Sequence, residues 1–296
     1  MTVSKIIVLG AGGQLGYELS KTVPESVQLM ALDRSQLDIT DATAVLQQVN
    51  IYQPNWIINA AAYTAVDKAE EQSDLAYQIN KDGAANVAMA AKQAGAGLIH
   101  VSTDFVFDGE KSSPYLVNDK PNPQSVYGAS KLAGDEQVIS ILSGNTCIIR
   151  TAWVYSSHGQ NFVKTMLRLM SERDELGVIA DQVGTPTWAR GLAQTIWKVI
   201  DEKLKGVHHW TDAGVASWYD FAMAIHEEAK ALGILSVNQV CTIKPIRTQD
   251  YPLPARRPTY SVLDKTTTWN ALALEPDHWR TALKNMLKDL LQNANT

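Results

Sequence analysis

Lys5-Ile6-Ile7-Val8-Leu9-Gly10-Ala11-Gly12-Gly13-Gln14-Leu15-Gly16 is the stretch whose reading decides the fold. The apolar run from Ile6 to Leu9 has no polar alternation, the pattern of a strand buried on both faces in a parallel sheet. Gly10, Gly13 and Gly16 then turn the chain into a helix over about Gln14–Thr22. Gly10 and Gly13 let the backbone turn and come close to a phosphate, and Gly16 lets helix and sheet pack tightly. Such a turn seats a dinucleotide pyrophosphate on a helix N-terminus. Gly10, Gly13, Gln14, Leu15 and Gly16 are therefore candidate cofactor residues. A glycine turn alone has the composition of any tight turn; its place between strand and helix gives it meaning.

Working outward, Val27–Leu32, Trp56–Ala60, Gly97–Ser102 and Thr146–Arg150 repeat the short apolar run, with a helical stretch over about Asp74–Ala94. A helix carrying Tyr127 and Lys131 precedes the last of these strands. Apolar strands alternating with helices predict an α/β fold, a doubly wound parallel Rossmann sheet. The dinucleotide-binding domain is placed at residues 1–155. After Trp153 the pattern is less regular, with helices near Phe162–Glu172, Ala189–Lys203, Trp218–Leu232 and His278–Leu291. Pro245, Pro252, Pro254 and Pro258 crowd a region where regular elements are hard to sustain. Residues 156–296 are expected to form mainly a smaller C-terminal α/β substrate lobe, with part of the chain after 177 returning to the Rossmann sheet.

Bulk properties narrow the function. A chain of 296 residues with 45% hydrophobic content and a formal net charge of -5 fits a globular protein and argues against a nucleic-acid partner. No apolar run reaches the roughly 18 residues of a membrane span. The N-terminus lacks the basic and apolar segments of a secretion signal. Cys147 and Cys241 are far apart and read as small buried hydrophobes in a reducing compartment. The expectation is a cytoplasmic protein without a membrane.

Chemistry gathers at the strand ends. Asp33 closes the second strand, where a carboxylate can accept hydrogen bonds from an adenosine ribose and would repel a 2′-phosphate. Arg34 beside it would instead pair with that phosphate, so the choice between NAD and NADP stays open. Asp38 and Ile39 would suit the adenine. Ala62, Tyr63 and Thr64 follow the third strand within Asn59–Thr64, whose small residues allow close approach to a cofactor. Ser102-Thr103-Asp104 ends the fourth strand, and Thr103 can hydrogen-bond a reacting carbonyl oxygen. Tyr127 and Lys131, four apart on one helical face, make a proton donor with an ammonium ion near it. The expectation is that Lys131 lowers the phenol pKa from about 10 toward neutrality. A proton donor beside a nicotinamide is the equipment for reducing a carbonyl.

Taken together, these residues resemble the extended short-chain dehydrogenases, and among them the dTDP-4-dehydrorhamnose reductases. The resemblance runs through Gly10–Gly16, Asn59–Asp67, Ser102–Gly109, Tyr127–Gly134, Arg150–Tyr155, Asp181–Thr187 and Arg257-Pro258. It implies NAD(P)H-dependent reduction of the C4 ketone of a dTDP-4-dehydro sugar, the last step of dTDP-L-rhamnose synthesis, with NADPH as cofactor and NADH possible. Thr103, Tyr127 and Lys131 would be catalytic; Tyr127 and Lys131 would also touch the nicotinamide ribose. Asp104 and Trp153 would join Thr103 and Tyr127 on the dTDP-sugar. Phe105 departs from the family, where Tyr is common, and one polar substrate contact goes with its hydroxyl. Some members dimerise through a metal held by glutamates. Glu18 matches one such position, but Trp188-Ala189-Arg190-Gly191 offers no carboxylate, so no metal site is expected, and the chain would be a monomer or homodimer.

Two rival readings share the ancestry. A sugar-nucleotide dehydratase carries a Glu directly after the Asp of its Thr-Asp pair, where this chain has Phe105; an epimerase is the related option. A non-catalytic regulatory subunit, like that of methionine adenosyltransferase, would keep the pocket without needing Thr103, Tyr127 and Lys131 intact.

Overall fold

The computed structural model describes residues 4–238 and 240–294. The chain opens as β1 (Ser4–Leu9), α1 (Gln14–Lys21), β2 (Val27–Leu32), α2 (Ala42–Tyr52) and β3 (Trp56–Asn59). Helices α3 (Val66–Glu71), α4 (Ser73–Tyr77) and α5 (Ala84–Ala94) lead to β4 (Gly97–Thr103), α6 (Val126–Leu142) and β5 (Thr146–Thr151). The second half runs through β6 (Val154–Tyr155), α7 (Phe162–Glu172), β7 (Glu175–Ile179), β8 (Val183–Gly184), β9 (Thr187–Trp188), α8 (Ala189–Asp201) and β10 (Gly206–His209). It ends with β11 (Ala216–Ser217), α9 (Trp218–Ala231), β12 (Thr242–Ile246), α10 (Thr266–Leu272) and α11 (Trp279–Ala294).

Six strands form one sheet in the order β10-β5-β4-β3-β1-β2, with every pair parallel. This is the doubly wound sheet that the apolar runs predict. Alternate strand residues supply two separate cores. Ile7, Ile57, Leu98 and Ile148 pack with Val45 of α2, Val87 of α5 and Val138 of α6. Ile6, Val8, Ile58 and Ile149 face the other way, onto Leu15 and Leu19 of α1 and Leu192 and Ile196 of α8. Both faces are dry, which is why these strands show no polar alternation; each buried Ile or Val contributes about 1.5–3 kcal/mol. Strand β10 enters the sheet beside β5, with His209 opposite Arg150.

The smaller lobe packs α7, α9 and α11 around Val163, Met170, Phe221, Ile225, Leu283 and Leu287. Its β12 pairs with β7 in parallel and includes Pro245, which the proline crowding did not lead us to expect inside a strand. A two-stranded sheet has only edges, and an edge tolerates the missing N–H.

The helix expected over 74–94 is interrupted. Residues Gln78–Gly83 wind as a π-helix between α4 and α5. Within this wider turn lies buried Asn80. Its Oδ1 accepts from Tyr63 N at 2.8 Å, and its Nδ2 donates to Tyr63 O at 3.1 Å and Ser130 Oγ at 3.0 Å. The interruption thus pins the loop after β3 to the helix that carries Tyr127. No helix among the described residues is long and apolar enough to cross a membrane.

Candidate active site

Where the strand order reverses between β1 and β3, the C-terminal ends of the strands open into a groove. One cavity of about 710 Å³ reaches from the glycine turn to Tyr127, Trp153 and Trp218. A second, of about 370 Å³, lies over the end of β2 and shares Gly12, Gly13, Ala60 and Ala62 with the first.

The glycine turn is built as its spacing implies. Gly10 sits at φ +83° with the Ala60–Ala61 backbone against its Cα, and Gly13 N donates to Gly10 O at 3.0 Å. Gly13 starts α1 with no side-chain cap, leaving that helix N-terminus to an anion. Gln14, Leu15 and Gly16 also line the larger cavity. At the other end of the groove, Asp33 Oδ1 accepts from Ser35 N at 2.8 Å, Ser35 Oγ at 2.6 Å and Gln36 N at 3.1 Å, bonds that hold its carboxyl below the usual range. Arg34 is 73% exposed and reaches Asp38 at 3.3 Å. Gly10, Asp33, Arg34, Asp38 and Ile39 all line the smaller cavity. Ala62 lines both and Thr64 the larger, whereas Tyr63 is absent from either wall; its hydroxyl donates to Gln72 Oε1 at 2.9 Å.

Thr103, Asp104, Tyr127, Lys131 and Trp153 meet in the larger cavity. Ser125 Oγ caps α6 by accepting from Gly128 N at 3.2 Å, which sets Tyr127 in the first turn of the helix. Phe105 stands edge-on to Tyr127 with centroids 5.5 Å apart, so an aromatic ring still packs there. Thr103 Oγ1 donates to Asp104 Oδ1 at 3.0 Å, and the Ser261 hydroxyl beside the buried carboxyl also favours its charged form. Burial pushes the Asp104 carboxyl up to about 6.

The electrostatics differ from the expectation for Tyr127. Although its residue surface is only half-buried, the packing around the phenol pushes its pKa up to about 12, against a hydrogen bond with Thr103 that lowers it. Lys131 points its ammonium at Val101 O, 2.7 Å away, and burial pushes it down to about 8. The phenol is therefore held protonated by desolvation, not drawn toward neutrality by the lysine.

Trp153 has φ +48°, an uncommon setting for a bulky residue, and stacks on Trp218 with centroids 3.5 Å apart. Sequence reasoning passed over Trp218, because a tryptophan starting a helix carries no mark separating cavity wall from core. It also passed over the segment from Ser156 to Asn161, which straps across the glycine turn. His158 Nε2 is 3.1 Å from Gly12 O, its ring stacks on Tyr17 at 4.3 Å, and Asn161 Nδ2 donates to Gln14 Oε1 at 2.9 Å. Arg257, quoted above only as part of a motif, lines the larger cavity and grips Asp67 with two hydrogen bonds of 2.9 and 2.7 Å. Glu18 is fully buried, accepting from Ser156 Oγ at 2.6 Å and from Arg190 Nε at 3.0 Å. Arg190 continues to Asp289 at 2.9 Å, tying α1 to α8 and α11.

Comparison with known proteins bears on the family and the fold. The family described as RmlD substrate binding domain matches residues 4–292. The dTDP-4-dehydrorhamnose reductase of Aggregatibacter actinomycetemcomitans is 43% identical over 292 residues, spanning 96% of this chain and 98% of its own. A crystal structure of a dTDP-4-dehydrorhamnose reductase from Clostridium acetobutylicum is similar at a TM-score of 0.91 and 44% identity, covering 97% of this chain and 99% of the other. The same enzyme from Bacillus anthracis, solved in complex with NADP, also reaches 0.91 at 38% identity, with 97% and 99% covered.

Proposed function

This chain belongs to the RmlD substrate binding domain family, and on that premise we propose how its groove divides the work of one reduction. The reaction is NAD(P)H-dependent conversion of the C4 ketone of dTDP-4-dehydro-L-rhamnose to the alcohol of dTDP-L-rhamnose. The observation that carries the assignment of residues is a single groove running from the uncapped α1 N-terminus to Thr103, Tyr127 and Lys131. The uncapped helix end and the glycines beneath it fit a dinucleotide diphosphate.

When bound, the reduced dinucleotide supplies the hydride for the ketone carbon. Gly10, Gly13, Gln14, Leu15 and Gly16 hold its diphosphate, and Asp33, Arg34, Asp38 and Ile39 surround its adenosine. Ala62, Tyr63 and Thr64 back the middle of the dinucleotide, Tyr63 through its Asn80-bound main chain. Lys131 and Tyr127 take the nicotinamide ribose. Thr103 orients the ketone oxygen toward Tyr127, whose phenol gives its proton to the alkoxide left by hydride addition. A pKa of about 12 keeps that proton in place at neutral pH, and the transfer to a more basic alkoxide still runs downhill. Asp104, buried beside Thr103 on the cavity wall, accepts from a sugar hydroxyl, and Trp153 covers the deoxysugar. Arg257 lines the same cavity with its charge taken up by Asp67.

Every group in this scheme comes from one chain, so the scheme holds for a monomer or a homodimer. The enzyme in this reading works in the cytoplasm on a dTDP-sugar, with no nucleic-acid partner. Phe105 gives a dehydratase no carboxylate at the position that chemistry requires.

The test is coenzyme oxidation followed by absorbance, with dTDP-4-dehydro-L-rhamnose generated in situ. Turnover should favour NADPH over NADH. The exposed Arg34–Asp38 pair is worth at most about 1 kcal/mol, leaving the guanidinium free to swing to a 2′-phosphate. Arg34→Ala should lower kcat/KM for NADPH about tenfold and leave NADH unchanged. No effect on either coenzyme would make Arg34 a solvated turn residue.

A further inference from the structure

We propose that Asp135 is a positioning residue of this site, a buried countercharge to the Lys131 ammonium one turn further along α6. The inference rests on the reductase reading and adds a residue to it. Tyr127, Lys131 and Asp135 follow one another at intervals of four on α6, so they rise along one face of the helix. Asp135 is 1% exposed and Lys131 2%. A buried carboxylate one turn beyond a catalytic lysine invites the question of what it touches.

Its two oxygens have different surroundings. Oδ2 accepts from Ser102 Oγ at 2.9 Å and from Arg150 Nε at 3.4 Å. Oδ1 lies 3.6 Å from His100 Nε2, and neither of these two atoms has a hydrogen-bond partner among the described residues. His100 Nδ1 is 3.2 Å from the Asn59 amide nitrogen, and Asn59 Oδ1 accepts from Ala61 N, which fixes the orientation of that amide. Nδ1 is then the acceptor and the ring proton sits on Nε2, aimed at Asp135. One carboxylate thus engages the ends of β4 and β5 and, through His100, the end of β3. These strand ends form the floor of the groove.

A purely structural role is a poor account of this cluster. A buried ionic group rarely improves stability over an apolar replacement of equal volume. The arrangement makes sense as electrostatic support. Lys131 faces Asp135 on its own helix and His100 and the Val101 carbonyl on β4, while Asp135 in turn faces Ser102 and His100 on β4 and Arg150 on β5. Burial pushes the Asp135 carboxyl up, and the charges of Arg150 and Lys131 oppose that rise. Burial holds His100 neutral, far below its ordinary pKa, and holds the Tyr127 proton up to about 12. Burial pushes Lys131 down to about 8, and the negative charge of Asp135 opposes that loss. Without Asp135, Lys131 would surrender its proton at lower pH and leave the ribose without a cation.

The sign of the effect follows. Lys131 is charged below its pKa, so activity that needs the ammonium falls as pH rises through about 8. In Asp135→Asn that alkaline limb of the kcat profile should move toward acid by about one pH unit or more. At pH 8 kcat should drop about tenfold, with near-normal turnover regained at pH 6–6.5, and Asp135→Glu should restore much of the limb. Loss of kcat by one factor at every pH, with the limb in place, would overturn the proposal in favour of a structural role; so would an unchanged profile. Should Asp135→Asn fail to fold, Arg150→Gln carries the test with the opposite sign. Removing that cation frees Asp135 for Lys131, so the limb should move toward alkali, and a limb that stays or moves toward acid overturns the proposal. A wild-type enzyme without turnover would overturn the reductase reading along with this one. Turnover with a limb indifferent to Asp135 removes this inference alone.

Discussion

Tyr127→Phe is expected to lower kcat about 10²–10⁴-fold while leaving the dissociation constant for NADPH within about threefold of wild type. The substitution removes one oxygen from a half-buried ring and leaves the edge-on packing against Phe105 in place. What it takes away is the proton that quenches the alkoxide. Because burial and not Lys131 sets the phenol near 12, Tyr127 stays protonated across the neutral range, and the variant should be impaired by a similar factor at pH 6 and pH 8. Single-turnover rates and coenzyme titrations measure the two halves of this expectation. A Phe variant with normal turnover would remove Tyr127 from the chemistry.

The second large effect concerns the glycine turn. A Cβ on Gly16 would stand 2.4 Å from Gly10 O and 2.5 Å from Ala11 Cα. Both are backbone atoms, so no side chain can swing aside; α1 would have to lift from the turn. Overpacking of this kind costs about 1–3 kcal/mol. Here the distortion falls on the helix N-terminus assigned to the diphosphate. Gly16→Ala should therefore weaken NADPH binding by about 10–100-fold, read by fluorescence titration, because each 1.4 kcal/mol is tenfold in affinity. An unchanged affinity with only a lower melting temperature would mean that the turn is scaffold and the dinucleotide lies elsewhere.

Much of the fold was legible because its strands are buried on both faces. Ile6 and Ile7 enter different cores, so the sequence shows an apolar block in place of alternation. The α7 helix was legible at its observed limits, Phe162–Glu172, and the structure adds Asn161 as its cap. The π-helix around Asn80 was not, since its reason lies in a distant loop: Tyr63 needs both bonds that Asn80 supplies. The site divides in the same way. Tyr127 and Lys131 announce themselves by a spacing of four, whereas Gln14 and Asn161 meet only after the chain has built the sheet between them. The pKa of Tyr127 was misjudged because charge can be read from a sequence, while the degree of burial that outweighs it cannot.

The most direct test of the central claim is to follow the hydride itself. Wild-type enzyme would be run with dinucleotide deuterated at the nicotinamide C4 position that it transfers, and the sugar product examined by NMR. Deuterium at C4 of dTDP-L-rhamnose is the expected result. Product carrying no deuterium, or carrying it at another sugar carbon, would contradict reduction of the C4 ketone in this groove.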